Sequence, residues 1–156
     1  MAEILVVDDE VGIRELLFEI LADEGHSVVV AENATKAREL RNHRRPDLVL
    51  LDIWMPDADG ISLLKEWSAN GLLTMPVVMM SGHGTIDTAV EATRIGAVDF
   101  LEKPIALQKL LATVKKCLKP DASTTRQRYA VESLLQIGLL KKFAQRIAQS
   151  AKHSPI

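Results

Sequence analysis

The sequence predicts an α/β domain: a doubly wound, five-stranded parallel sheet with helices on both faces, followed by a C-terminal helical extension. Three observations carry this expectation. Short apolar runs alternate with amphipathic stretches five times in succession. Several of those runs are apolar on both faces, as strands covered by helices on each side must be. Hydrophobic residues make up 47% of the chain and aromatic residues only 4%, which suits Val/Ile/Leu strands under Ala/Leu helices.

The elements follow in order. Ile4-Leu5-Val6-Val7 is a β-branched run ending at Asp8-Asp9-Glu10. A helical stripe of Ile13, Leu16, Leu17, Ile20 and Leu21 comes next and stops at Gly25. Val28-Val29-Val30 is the second strand, and Ala34 to about His43 the second helix. Leu48-Val49-Leu50-Leu51 is the third strand, closing on Asp52. The third helix runs from about Gly60 to Asn70, where Gly71 breaks it. Pro76 precedes the fourth strand, Val77 to Met80, which closes on Ser81-Gly82. Thr85 is an N-cap for a fourth helix from Ile86 to Ile95, with Gly96 as its stop. The fifth strand spans about Asp99 to Leu101 and the fifth helix about Ala106 to Leu118. Right-handed crossovers leave few topologies for five such units, and a doubly wound sheet is the simplest.

Residues 1–119 are expected to form this domain. Residues 120–127 read as a linker rich in Pro, Asp, Ser and Thr. Residues 128–156 carry an amphipathic helical stripe that leads toward an output domain outside these residues. The chain has no phosphate-binding G-x-x-x-x-G-K-[ST] loop and no room for a helix-turn-helix module, so an excised or a single-domain protein is expected. The net charge of −2 argues against general polyanion binding, and Arg41, Arg44 and Arg45 read as a solvated helix end. A single Cys117 excludes an internal disulfide and reads as packing, as do Met79 and Met80. His26, His43, His83 and His153 show no ligand spacing. No signal peptide or transmembrane-length run is evident, so a cytoplasmic protein is expected.

Ligands of open α/β sheets bind beyond the carboxyl ends of the strands. Those ends deliver Asp8, Asp9, Asp52, Ser81 and Lys103. Each has an ordinary reading: Asp8-Asp9 as a helix cap, Asp52 and Ser81-Gly82 as turn residues, Lys103-Pro104 as a solvent-facing turn. Their joint arrival at four strand ends favours one site. Crowded carboxylates raise one another's pKa unless a cation neutralises them, and oxygen-only ligation suits Mg²⁺. A carboxylate kept ionised is a nucleophile for an acyl phosphate, with Lys103 and Ser81 to hold phosphoryl oxygens.

Val6-Val7-Asp8-Asp9-Glu10, Leu51-Asp52-Ile53-Trp54-Met55-Pro56, Asp59-Gly60, Met80-Ser81-Gly82-His83-Gly84 and Phe100-Leu101-Glu102-Lys103-Pro104 together resemble the receiver domains of two-component response regulators. The likeness covers roughly residues 3–119, and its details resemble the nitrogen-regulation-type, sigma-54-dependent regulators. It implies strand order 2-1-3-4-5 and Asp52 as the phosphoacceptor. It also implies Mg²⁺ held by Asp9, Asp52 and the Trp54 carbonyl, with Asp8 acting mostly through water. Lys103 matches the phosphate-binding lysine, its bond to Pro104 commonly cis, and Ser81 with Phe100 the switch pair. The implied partners are a sensor histidine kinase and a second copy through the fourth helix, fifth strand and fifth helix. DNA is reached only through an output domain. Ser81 stands for the commoner Thr and Phe100 for the commoner Tyr, and bulky Trp54 is expected to slow water attack on the acyl phosphate.

Three rivals remain at this point. Hydrolases with a strand-end Asp nucleophile carry a second acid two residues later, where this chain has Trp54. A flavodoxin-like cofactor binder needs backbone amides for phosphate, where this chain has Asp8-Asp9-Glu10. A degenerate receiver used only for docking would lack some of the residues named. No enzyme activity is expected beyond the chain's own phosphoryl transfer and its loss.

Overall fold

Residues 2–82 and 86–118 are described by a computed structural model; the expected linker, the C-terminal extension, His83 and the Thr85 cap lie outside the described residues. Ten elements alternate strictly: β1 (Glu3–Val7), α1 (Val11–Asp23), β2 (Ser27–Ala31), α2 (Ala34–His43), β3 (Leu48–Asp52), α3 (Gly60–Ala69), β4 (Val77–Ser81), α4 (Ile86–Ile95), β5 (Asp99–Glu102) and α5 (Leu107–Leu118). All strand pairings are parallel, in the order β2-β1-β3-β4-β5.

Alternation along the strands builds two cores. Leu5, Val7, Val49, Leu51, Val77 and Met79 face Ala34, Ala37, Leu64, Trp67 and Ala92 of α2, α3 and α4. Ile4, Val6, Leu48, Leu50, Val78, Met80 and Leu101 face Leu17, Leu21, Leu110 and Val114 of α1 and α5. Every residue of β3 and β4 is buried, so the expectation of strands apolar on both faces holds at the centre of the sheet. Edge strand β2 is only partly covered. Cys117 packs beside the second core, where burial first, and then the charge of Asp99, push its thiol up to about 11; it is an inert packing residue.

Two readings are corrected. Leu16 is not on the buried stripe of α1: it is 49% exposed, and Leu17 and Leu21 carry the packing. Arg41 is not a solvated helix end. It is buried, and its Nε and Nη2 donate to the Leu72 carbonyl at 3.0 and 2.9 Å. Arg45 donates to the Thr74 carbonyl at 2.7 Å. Together they fasten α2 to the turn before β4, satisfying carbonyls that a bare turn would leave to water. Arg44 alone fits the original reading, in an exposed pair with Glu3 at 3.1 Å.

Strand order reverses between β1 and β3, since β2 lies on one side of β1 and the rest of the sheet on the other. Open α/β sheets bind ligands at the carboxyl ends of the strands beside such a switch point. Among the described residues no helix is long and apolar enough to cross a membrane.

Candidate functional site

The ladder carries the chemistry-bearing residues to one edge. Asp52 is the last residue of β3, in register with Met80. Ser81 ends β4 opposite Glu102. Just past the strands, Asp8 N donates to Ala31 O at 3.0 Å and Lys103 N to Ser81 O at 2.9 Å, so both residues leave the sheet on fixed backbone. The Lys103–Pro104 peptide is cis, as the resemblance implied.

Lys103 is the centre of the site. Its Nζ lies 2.7 Å from Asp8 Oδ2, 3.4 Å from Asp52 Oδ1 and 3.4 Å from Glu10 Oε1. Asp8 is fully buried and Asp52 is 3% exposed. Burial disfavours the Lys103 ammonium, but its hydrogen bond to Asp8 and the charges of Asp8, Asp52 and Glu10 outweigh this and raise its pKa. Asp52 is pushed the other way along the scale of ionisation. Burial first, then the charge of Asp8, raise its carboxyl to about 6 against the pull of Lys103. A buried acid whose neighbours are mostly acids is the signature of a group awaiting more positive charge.

The residues present fit a divalent cation. Asp8, Asp9 and Glu10 each offer a carboxylate oxygen, all within 4.8 Å of one another. Asp8 Oδ2 is buried, and its charged contact is the Lys103 ammonium at 2.7 Å. Hard oxygens, those of Asp8 buried and those of Asp9 and Glu10 exposed, suit Mg²⁺ with retained waters. Asp52 is not one of these three; it shares the Lys103 ammonium with Asp8, at 3.4 and 2.7 Å. Glu10 is the member that sequence reasoning missed, since an acid after an Asp pair reads as first-turn helix charge. Arg14 was missed as well: its Nη1 donates to the Asp8 carbonyl at 2.7 Å and pins the turn into α1.

The ordinary capping reading of Asp8-Asp9 does not describe this turn. The N-cap of α1 is Glu10, and it makes no side-chain cap bond. Asp8 Oδ1 accepts instead from Glu10 N at 2.9 Å.

The turn after β3 is held closely. Ile53 N donates to Met80 O at 3.0 Å and Gly60 N to Ile53 O at 2.6 Å. Asp59 caps α3, accepting from Ser62 N at 2.7 Å. A Cβ on Gly60 would overlap the carbonyl oxygen of Asp52, which explains glycine where α3 begins. Trp54 stands 55% exposed two residues after Asp52, Ser81 is fully buried and Phe100 is half-buried against the core under α2, α3 and α4.

The family model described as the response regulator receiver domain matches residues 4–115. The chain belongs to the response regulator receiver domain family. The receiver is similar to the nitrogen assimilation regulatory protein NtrX of Azorhizobium caulinodans, 42% identical over 137 residues, covering 86% of this chain and 29% of that protein. A putative NtrX-like response regulator of Rickettsia bellii is 41% identical over 118 residues, covering 74% of this chain and 24% of its own. Among solved structures, the receiver domain of NtrX from Brucella abortus is 48% identical with a TM-score of 0.70, covering 76% of this chain and 99% of that one. The chemotaxis protein CheY4 of Vibrio cholerae matches at 28% identity and a TM-score of 0.71, over 76% of this chain and 99% of that one. The chain thus spans about a quarter of the length of the curated relatives it matches.

Proposed function

We propose that this receiver accepts a phosphoryl group on Asp52 from the phosphohistidine of a sensor histidine kinase, in the cytoplasm and with Mg²⁺ bound. One observation carries the reading: Asp52, Asp8 and Lys103, delivered by three different strands, meet with Lys103 Nζ 2.7 and 3.4 Å from the two carboxylates.

An Asp52 carboxylate oxygen forms the new bond to phosphorus as the phosphorus–nitrogen bond of the donor breaks; the donor ring, protonated on its other nitrogen, keeps the electron pair and leaves as neutral imidazole, and Asp52 becomes an acyl phosphate. Asp52 must be ionised to attack, and with its carboxyl at about 6 most of it is ionised at neutral pH. Lys103 turns its ammonium toward the transferring oxygens, and Ser81 donates its hydroxyl to one of them. Asp8, Asp9 and Asp52, with the Trp54 carbonyl, would hold the metal, and Glu10 stands close enough to join them. Bound Mg²⁺ supplies the positive charge that keeps these acids ionised and offsets charge on the phosphoryl oxygens.

Phe100 follows Ser81 inward, and the altered face of α4, β5 and α5 pairs with a second copy or releases a transcription output of the sigma-54 type. DNA is reached through that output domain alone. The receiver catalyses only its own phosphoryl transfer and loss.

Intact mass after incubation with a small-molecule phosphodonor and Mg²⁺ tests the reading. The expected result is one added phosphoryl group on the wild type and none on Asp52→Asn. Equal phosphorylation of both, or of neither, overturns it.

A further inference from the structure

Asp57 lies five residues beyond the acceptor, is exposed, and nothing in its sequence context marks it. Its carboxylate nonetheless reaches back across the fold to the start of α2. Oδ1 accepts from Ala34 N at 3.1 Å, and Oδ2 accepts from Thr35 N at 3.0 Å and Thr35 Oγ1 at 2.9 Å. Burial pushes its carboxyl up, but these donors outweigh that and hold it below the ordinary carboxylate value.

Capping alone does not account for the contact. The helix already has its own cap, since Asn33 accepts from Lys36 N at 2.8 Å. Donors at the start of a helix lack intrahelical acceptors, and those at 34 and 35 are met by a side chain from another element. The contact therefore ties two elements together. The turn it ties begins at Asp52 and ends at Asp59-Gly60. Its start is fixed just after Asp52 by Ile53 N to Met80 O at 3.0 Å, and its end by the Asp59 cap at 2.7 Å. Asp57 fixes the span between, where Met55 and Ala58 are only partly buried against the core.

We propose that Asp57 is a positioning residue for the acceptor turn: through Thr35 and the first turn of α2 it holds the backbone that places Asp52 and the Trp54 carbonyl for cation binding. The inference rests on the acceptor reading of Asp52.

Titration of the full chain with Mg²⁺ alone, read by the emission of exposed Trp54, tests it without any turnover. Asp57→Ala should raise the half-saturating Mg²⁺ about tenfold, the low end of what loss of an outer-shell partner does to a metal site. Asp57→Asn keeps an oxygen acceptor and Thr35→Ala removes one bond of three, so each should shift it by about threefold or less. Asn33→Ala removes the helix's own cap; it should lower the melting temperature while leaving half-saturation within about twofold of wild type. An Asp57→Ala protein that binds like wild type overturns the inference, and so does an Asn33→Ala protein that weakens binding as much as Asp57→Ala. A wild type with no Mg²⁺ response removes the acceptor reading, and this inference with it; a responsive wild type beside an unshifted Asp57→Ala removes the inference alone.

Discussion

The acids after β1 and the acids after β3 share a residue type and an edge of the sheet, yet the fold treats them oppositely. After β3, Asp57 and Asp59 are committed to backbone N–H groups of α2 and α3. After β1, Asp9 makes no hydrogen bond or ion pair among the described residues, Glu10 reaches only Lys103 at 3.4 Å, and α1 starts without a side-chain cap. A cap is worth about 1 kcal/mol. The β1 turn forgoes that stability and leaves the Asp9 carboxylate uncommitted within electrostatic reach of Asp52. Carboxylates satisfied by backbone donors hold a fold together; carboxylates left unsatisfied beside a buried acid are available to a cation.

Substitutions in the two turns should therefore separate stability from cation binding. The largest expected loss of stability is at the shared counterion. Lys103→Met leaves Asp8 buried without its partner, and breaking such a pair should cost roughly 3 kcal/mol in denaturant unfolding without divalent cations. A cost under about 0.5 kcal/mol, the ordinary surface value, would show that Asp8 does not depend on the ammonium.

Asp52→Asn should do the reverse. The folded carboxyl sits near 6 against an ordinary 3.8, so the wild type's protonated Asp52 favours the folded state below pH 4. That contribution is lost as pH rises through 6. Relative to wild type, Asp52→Asn should gain about 2 kcal/mol between pH 4 and pH 7 in divalent-free buffer. Parallel stability curves for the two proteins across that window would break the account of the acceptor.

Asp59→Ala removes a cap and should lose about 1 kcal/mol, read as a lower denaturation midpoint. Asp9→Asn should change stability by less than about 0.5 kcal/mol while raising half-saturating Mg²⁺ by about tenfold or more. If Asp9→Asn destabilised the fold as much as Asp59→Ala, the contrast between the two turns would fail.

Much of this was legible in the chain. Strand ends are easy to read because an apolar run stops at a carboxylate or hydroxyl, and α2 and α4 occupy the residues their periodicity predicts. The start of α1 was less clear because Val11 is 60% exposed and adds nothing to the buried stripe. Leu16 fits a helical period as well as Leu17 does, and only the direction of the neighbouring sheet decides between them. What sequence could not reveal are contacts made across the fold. Arg41 meets Leu72 from 31 residues away, and Asp57 meets Thr35 from 22. Neither partner carries a local signal, because a backbone carbonyl or amide belongs to every residue.

The state of the Asp52 carboxyl tests the central claim most directly. A carbon-detected NMR titration of the side-chain carboxyls, with and without Mg²⁺, would follow it. The account predicts a midpoint near 6 without the cation and a marked fall when it is present. An Asp52 that titrates like an exposed carboxylate, and ignores Mg²⁺, would contradict it.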